Sequence, residues 1–225
     1  MEDLSEDLIV DDIENASNAS DDQVQITPAE VIELMEEAWV NEKFAPEILP
    51  HRSEIVDIIL DQITTMEENI QKLSSTDFTK SVYQLEVDRL RFLISSYLRT
   101  RLEKIEAYVI HILNEESKRV DKGDELYLSE QELKFANDYS HTMKQYFEKL
   151  IKCYPGNQSD AWSDKIIEPN LSSFVFLKSK NRVEGISIEE NNPESDLVDF
   201  NSGSQMIISY SSISELVKKG EVHLI

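Results

Sequence analysis

A chain of 225 residues holds one large or two small domains, and its 40% apolar and 30% charged composition is that of a folded protein with a polar surplus. Acidic side chains outnumber basic ones 45 to 22, for a formal charge of −23, which repels phosphate backbones on average and argues against strong autonomous DNA binding. The single cysteine, Cys153, excludes internal disulfides and a Cys-rich zinc site and points to a reducing compartment.

The opening "MEDLSEDLIV" has neither a basic start nor a long apolar run, so no signal peptide is expected. No stretch approaches the ~18 apolar residues that cross a bilayer, and no membrane partner is expected. Residues 1–24 carry Glu2, Asp3, Glu6, Asp7, Asp11, Asp12, Glu14, Asp21 and Asp22 with no Lys or Arg, which predicts a disordered acidic tail. Within it Leu4, Leu8, Ile9 and Ile13 recur at roughly helical spacing. That pattern fits either a plain solubilising tail or a short helix that offers Leu8, Ile9 and Ile13 to a partner's groove.

A helical domain is expected over residues 25–153. Thr27, Pro28 and Glu30 form a capping box with proline at the first helical position, and Val31, Leu34, Met35, Ala38 and Trp39 follow as one buried stripe. Pro46 and Pro50 end that pattern. A second helix buries Ile55, Ile58, Ile59, Ile63, Met66, Ile70 and Leu73. After the turn-like "SSTD", a third pattern runs from Phe78 to about Ser117 without Gly or Pro, a helix of ~60 Å. A fourth opens at the capping box Ser129 and Glu132.

The character then changes. Residues 154–170, with Pro155, Gly156 and Pro169 among polar residues, predict a linker. Residues 171–225 alternate short β-rich runs ("SFVFLKSK", "RVEGISIEE", "SDLVDF", "SQMIISY", "EVHLI") with one short helix ending at Gly220. The expected fold is mainly α, a four-helix domain with one long helix followed by a small β-rich domain. A unit of about 55 residues is marginal alone and leans on something else.

Chemistry is scarce. There is neither a G-x-G-x-x-G nor a G-K-[ST] sequence, and no histidine has a Glu three residues before it, as a di-metal bundle would require. No enzyme, cofactor or metal is expected. The information lies in the third helix, where Arg89, Arg91, Arg99, Arg101 and Lys104 crowd together in an acidic protein. At 100° per residue, Val87, Ile94, Leu98, Ile105 and Ile112 fall within about 20° of one line, flanked by Leu90, Leu102, Tyr108 and Val109. Arg91 and Arg101 lie inside this stripe, whereas Phe92 and Ile110 lie nearly opposite. Burying an unpaired guanidinium costs several kcal/mol, so these two arginines are expected to find carboxylates on another element or another subunit. A helix apolar on two sides suggests subunit packing. The expected interface is Arg91, Leu98, Arg101, Leu102, Ile105 and Tyr108, with Val222 and Leu224 of the last strand.

The blocks "ITPAEVIELMEEAWVNEKFAPEIL", "EIVDIILDQITTMEENI", "EVDRLRFLISSYLRTRLEKIE" and "ISELVKKGEVHLI" together resemble the SLD-five subunit family of the GINS DNA replication complex, over about residues 26–225. The resemblance implies a nuclear, non-catalytic scaffold subunit of a heterotetramer with PSF-one, PSF-two and PSF-three. That tetramer joins the MCM ring and Cdc-forty-five in the replicative helicase. It also implies a contact between the N-terminal tail and a fork hub protein. The alternative is a free-standing helical adaptor with no replication role.

Overall fold

The computed structural model describes residues 27–74, 78–153, 166–187 and 197–225; the tail with Leu8, Ile9 and Ile13, and most of the expected linker, lie outside the described residues. Four helices come first, then a small antiparallel sheet unit, so the chain is mainly α as expected.

Helix α1 (Pro28–Phe44) begins with both halves of its capping box: Thr27 Oγ1 accepts the Glu30 N–H at 3.4 Å and Glu30 accepts the Thr27 N–H at 2.7 Å. Pro46 holds Ala45 extended (φ −68°, ψ 136°), which stops the helix. Helix α2 (Ser53–Lys72) follows, with Arg52 in the cap position. Helix α3 (Phe78–Lys122) has 45 residues, runs past the expected end at Ser117, and leaves helical geometry once, at Tyr108 (φ −123°, ψ 26°). Helix α4 (Glu130–Cys153) opens on the Ser129–Glu132 capping box.

The β-rich unit contains β1 (Phe174–Ser179), β2 (Val183–Ser187), β3 (Leu197–Phe200), β4 (Gln205–Ser209), a 3-10 turn at Tyr210–Ser212, α5 (Ser214–Lys219) and β5 (Val222–Leu224). Strands β4, β1 and β5 form one antiparallel sheet in that order, and β2 pairs with β3. Gly220 ends α5 in the left-handed region (φ 76°), which costs a residue without Cβ nothing. In β1, Val175 and Leu177 point inward while Phe174 and Phe176 stay exposed.

Three apolar clusters result. The first joins α1, α2 and the N-terminal half of α3 through Met35, Ile59, Leu90 and Tyr97. The second joins Ile48 to Ile105, Val109 and Ile112 of α3 and to Leu128 and Ala136. The third fills the β-rich unit, and it includes Ala45 and Leu49 from the segment between α1 and α2. That segment therefore feeds two cores: Ala45 and Leu49 enter the third cluster and Ile48 the second. The small unit leans on the helical part of its own chain.

Some expectations change. Leu34 and Ile58, expected in buried stripes, are exposed: each lies 100° from the buried Met35 or Ile59, off the packed face of its helix among the described residues. Ile105, Val222 and Leu224, expected at a subunit interface, have no exposed surface, because the chain's own elements already cover them.

The sheet is pinned by one buried polar contact, in which the Leu224 N–H donates to Asn41 Oδ1 at 2.8 Å. Asn41→Ala leaves that strand N–H buried without an acceptor, so it should cost about 1–3 kcal/mol in urea unfolding. Amide exchange at Leu224 should rise with it, while the α2 amides keep their protection.

Candidate functional site

Arg101 sits one turn after Tyr97 and one turn before Ile105, where the first helical cluster gives way to the second. It is 0% exposed. Its Nε donates to Glu132 Oε1 at 2.7 Å and its Nη2 to Glu132 Oε2 at 2.9 Å, a bidentate pair. Nη2 also donates to the Tyr127 carbonyl at 2.8 Å. Nη1 donates to the Leu49 carbonyl at 2.7 Å and to Glu42 Oε2 at 3.0 Å. The guanidinium has five N–H groups, and each has an acceptor.

Lys104 completes the cluster. Its ammonium donates to the Glu42 carbonyl at 2.5 Å, to Glu42 Oε1 at 2.7 Å and to the Glu47 carbonyl at 2.7 Å. Two cations and two carboxylates thus balance inside the chain, with backbone carbonyls taking the remaining protons. Burial opposes the charge of Arg101, but the Glu132 and Glu42 carboxylates outweigh it and raise its pKa. Burial likewise opposes ionised Glu132, and Arg101 and then Ser129 outweigh it, so its carboxyl is held below the ordinary value. For Lys104 burial prevails over Glu42 and lowers the pKa.

Neighbouring contacts set this geometry. Buried Glu116 accepts the Tyr127 N–H at 3.2 Å and the Arg119 guanidinium at 2.6 Å, and the same guanidinium lies 3.6 Å from the centre of the Tyr127 ring. This holds the loop whose carbonyl receives Arg101. Glu47 accepts the Tyr210 hydroxyl at 2.9 Å and pairs with Lys218 at 3.0 Å, fastening the β-rich unit to the same α1–α2 segment. Burial and then Glu47 push the Tyr210 pKa up.

The expected interface residues therefore separate. Arg101 is corrected to an internal residue, because α1, α4 and two loops close over it. Arg91 pairs with Glu67 across to α2. Leu98 and Leu102 are each 37% exposed, and Tyr108 is half-buried against the second helical cluster. Arg89 bridges Glu86 and Glu36 on the surface. Sequence reasoning missed Glu42, Lys104 and Glu116 as partners. One signal was available: Glu42 lies in the last turn of α1, where the helix dipole disfavours a carboxylate unless a cation holds it.

Among the described residues the opposite side of α3 is covered only in part: the Phe92 ring meets Trp39 of α1 edge-on, centroids 6.3 Å apart, and Ile110 packs on the second helical cluster. Phe78, Leu85 and Phe92 are 81%, 72% and 65% exposed. They lie seven residues apart, a spacing that drifts only about 20° per heptad on a helix. A second apolar surface lies on the sheet: Phe174, Phe176, Ile207 and Ile225 are all exposed, Phe176 directly opposite Ile207 in the register, with the Ile225 N–H bonded to the Phe176 carbonyl. Among the described residues no group of His, Cys, Asp and Glu is placed to hold a metal ion, and no helix is long and apolar enough to cross a membrane.

Residues 55–151 match the family model of the GINS complex protein helical bundle domain, and residues 169–225 match that of the C-terminus of DNA replication complex GINS protein SLD5. The chain is 41% identical to DNA replication complex GINS protein SLD5 of Rattus norvegicus, over 93% of this chain and 95% of the relative. It is 39% identical to the Homo sapiens protein of that name (96% and 98% covered) and 34% identical to the Arabidopsis thaliana one (86% and 90%).

Arg101→Met leaves Glu42 and Glu132 buried with too little positive charge, and should cost about 3–5 kcal/mol in chemical unfolding. Arg89→Ala, on the surface, should cost under about 1 kcal/mol. The depressed folded-state pKa of Glu132 contributes stability that is complete above the ordinary glutamate value of 4.5 and is lost as pH falls through the lower folded value. Glu132→Gln keeps a capping side chain but cannot titrate, so its unfolding free energy should fall less steeply than wild type below pH 4.5.

Proposed function

The chain belongs to the SLD5 family of DNA replication GINS complex subunits, and we propose that it acts there as a non-catalytic scaffold. Its sisters are PSF-one, PSF-two and PSF-three, in a nuclear heterotetramer that works with the MCM ring and Cdc-forty-five in the replicative helicase. The observation that carries this reading is the exposed heptad-spaced row Phe78, Leu85 and Phe92. A folded chain leaves such an apolar row exposed when another protein covers it, and a spacing of seven suits a packed partner helix.

The exposed sheet face around Phe176 and Ile207 supports a second contact of the same kind. Leu98, Leu102 and Tyr108 remain candidates for a contact on the other side of α3, and Arg91 stands at its edge. The scaffold role also suits the interior: the charged groups of the Arg101 cluster are consumed in holding the chain's own elements. The contact of the tail with a fork hub, through Leu8, Ile9 and Ile13, is what the family resemblance implies, and the acidic–apolar spacing of those residues suits a partner's groove.

Leu85→Glu combined with Phe92→Glu should abolish co-purification with the three sisters. The isolated chain should lose no more than about 1.5 kcal/mol of unfolding free energy, because the edge contact of Phe92 with Trp39 is what the fold gives up and neither substituted side chain is in the core. Full recovery of the tetramer with this variant would refute the interface.

A further inference from the structure

The three-stranded sheet has two edges, and α1 closes one of them. The Ile225 and Lys180 N–H groups donate across the β1–β5 ladder to the Phe176 and Glu221 carbonyls, so Val222 and Leu224 turn their backbone groups away from β1. Asn41 of α1 takes the Leu224 N–H there. At the other edge, the Tyr210 N–H donates to the Ser173 carbonyl and the Ser179 N–H to the Ser204 carbonyl. The same register puts Met206 and Ile208 in bonded pairs with β1. The N–H and C=O groups of Gln205, Ile207 and Ser209 therefore point outward. Among the described residues no strand pairs with them and no backbone group bonds them.

An open edge is a template for a further strand, and sheets blunt it with charge, proline or a bulge. Strand β4 has none of these. Its pairing with β1 is regular from Phe174↔Ser209 to Lys178↔Gln205. From Asn201 to Ser214 there is no Asp, Glu, Lys, Arg or Pro, in a chain that is 30% charged, whereas β1, β2 and β3 hold Lys178, Glu184 and Asp199. The edge also states what fits it. Donors and acceptors at alternate residues along one line match an extended backbone; a helix has its own backbone groups bonded internally and cannot answer them. The side chains of Ser209, Ile207 and Gln205 share the outer face with Phe174, Phe176 and Lys178, and Phe174, Phe176 and Ile207 are exposed. A strand added there sets alternate side chains beside this apolar group.

We propose that β4 takes an extended segment of a partner protein as an added antiparallel strand, bonded to Gln205, Ile207 and Ser209. The segment is uncharged where it pairs, and its alternate side chains are apolar and lie beside Ile207 and Phe176. This rests on the contact assigned above to the outer sheet face and adds to it the backbone bonding at the edge.

The test uses the full chain and two fluorescein-labelled forms of Lys-Thr-Val-Thr-Ile-Thr-Val-Thr-Lys, followed by anisotropy. One form is N-methylated at its second and third threonines, on the edge that would face solvent. The other is N-methylated at its isoleucine and second valine, on the edge that would face β4. The first should bind at least about tenfold more tightly, the difference two backbone hydrogen bonds make. Ser209 has φ −61°, which suits proline, so Ser209→Pro removes one outward donor and otherwise gives up only the hydroxyl contact with Ser211. It should weaken the first peptide about fivefold. Ile207→Lys puts a charge on the edge and should abolish binding. Neither variant should lower the melting temperature by more than a few degrees. Equal binding of the two forms, binding of neither, or undiminished binding in both variants would overturn the added strand. The face contact would still stand if the sister subunits protect residues 174–176 from amide exchange. A chain that sediments as a dimer, and as a monomer with Ile207→Lys, would overturn the proposal by assigning the edge to a second copy.

Discussion

A guanidinium can sit at the centre of a helical protein only if its charge and all five N–H groups are answered there. Arg101 meets that requirement with Glu132, Glu42 and the carbonyls of Leu49 and Tyr127. Those groups come from α4, the end of α1, the α1–α2 segment and the α3–α4 loop, so one side chain fixes the relative positions of four parts of the chain. Replacing such a cluster with apolar groups often costs little in stability, which makes its contribution one of register more than of net energy. The bidentate geometry with Glu132 admits one placement of the α4 start against α3.

The consequences extend to the sheet. Once Arg101 holds the Leu49 carbonyl and Lys104 holds those of Glu42 and Glu47, the α1–α2 segment is immobilised along its length. Its side chains then serve as the floor of the β-rich unit: Ala45 and Leu49 enter that core and Glu47 takes Tyr210 and Lys218, while Asn41 of the adjoining last turn of α1 takes the last strand. A unit too small to be stable alone gains a second wall in this way. Among the described residues, Phe78, Leu85 and Phe92 of α3 and Phe174, Phe176 and Ile207 of the sheet stay exposed.

The local features of this fold were legible because they are written in neighbouring residues. Both capping boxes, the helix-ending Pro46 and the left-handed Gly220 needed only a few positions each. The need of Arg101 for a carboxylate was also legible, from its place in an apolar stripe. Its partners were not, because Glu42, Leu49 and Glu132 lie 59, 52 and 31 residues away. Periodicity reports that a face is apolar and is silent on what covers it. The stripe through Ile105, and the alternation of Val222 and Leu224, therefore fitted a sister subunit and an internal core equally well. Of the two residues named as nearly opposite, Phe92 is largely exposed while Ile110 packs on the second helical cluster.

The central claim is that the buried stripe of α3 organises the chain itself, while its exposed row and the exposed sheet face organise the assembly. Hydrogen–deuterium exchange of the full chain, alone and with its three candidate sister subunits, tests this directly. Protection should increase in peptides spanning residues 78–92 and 174–176, with little change around Arg101 and Glu132, which are closed in both states. Increased protection confined to the Arg101 and Glu132 segments, with none at residues 78–92, would contradict it.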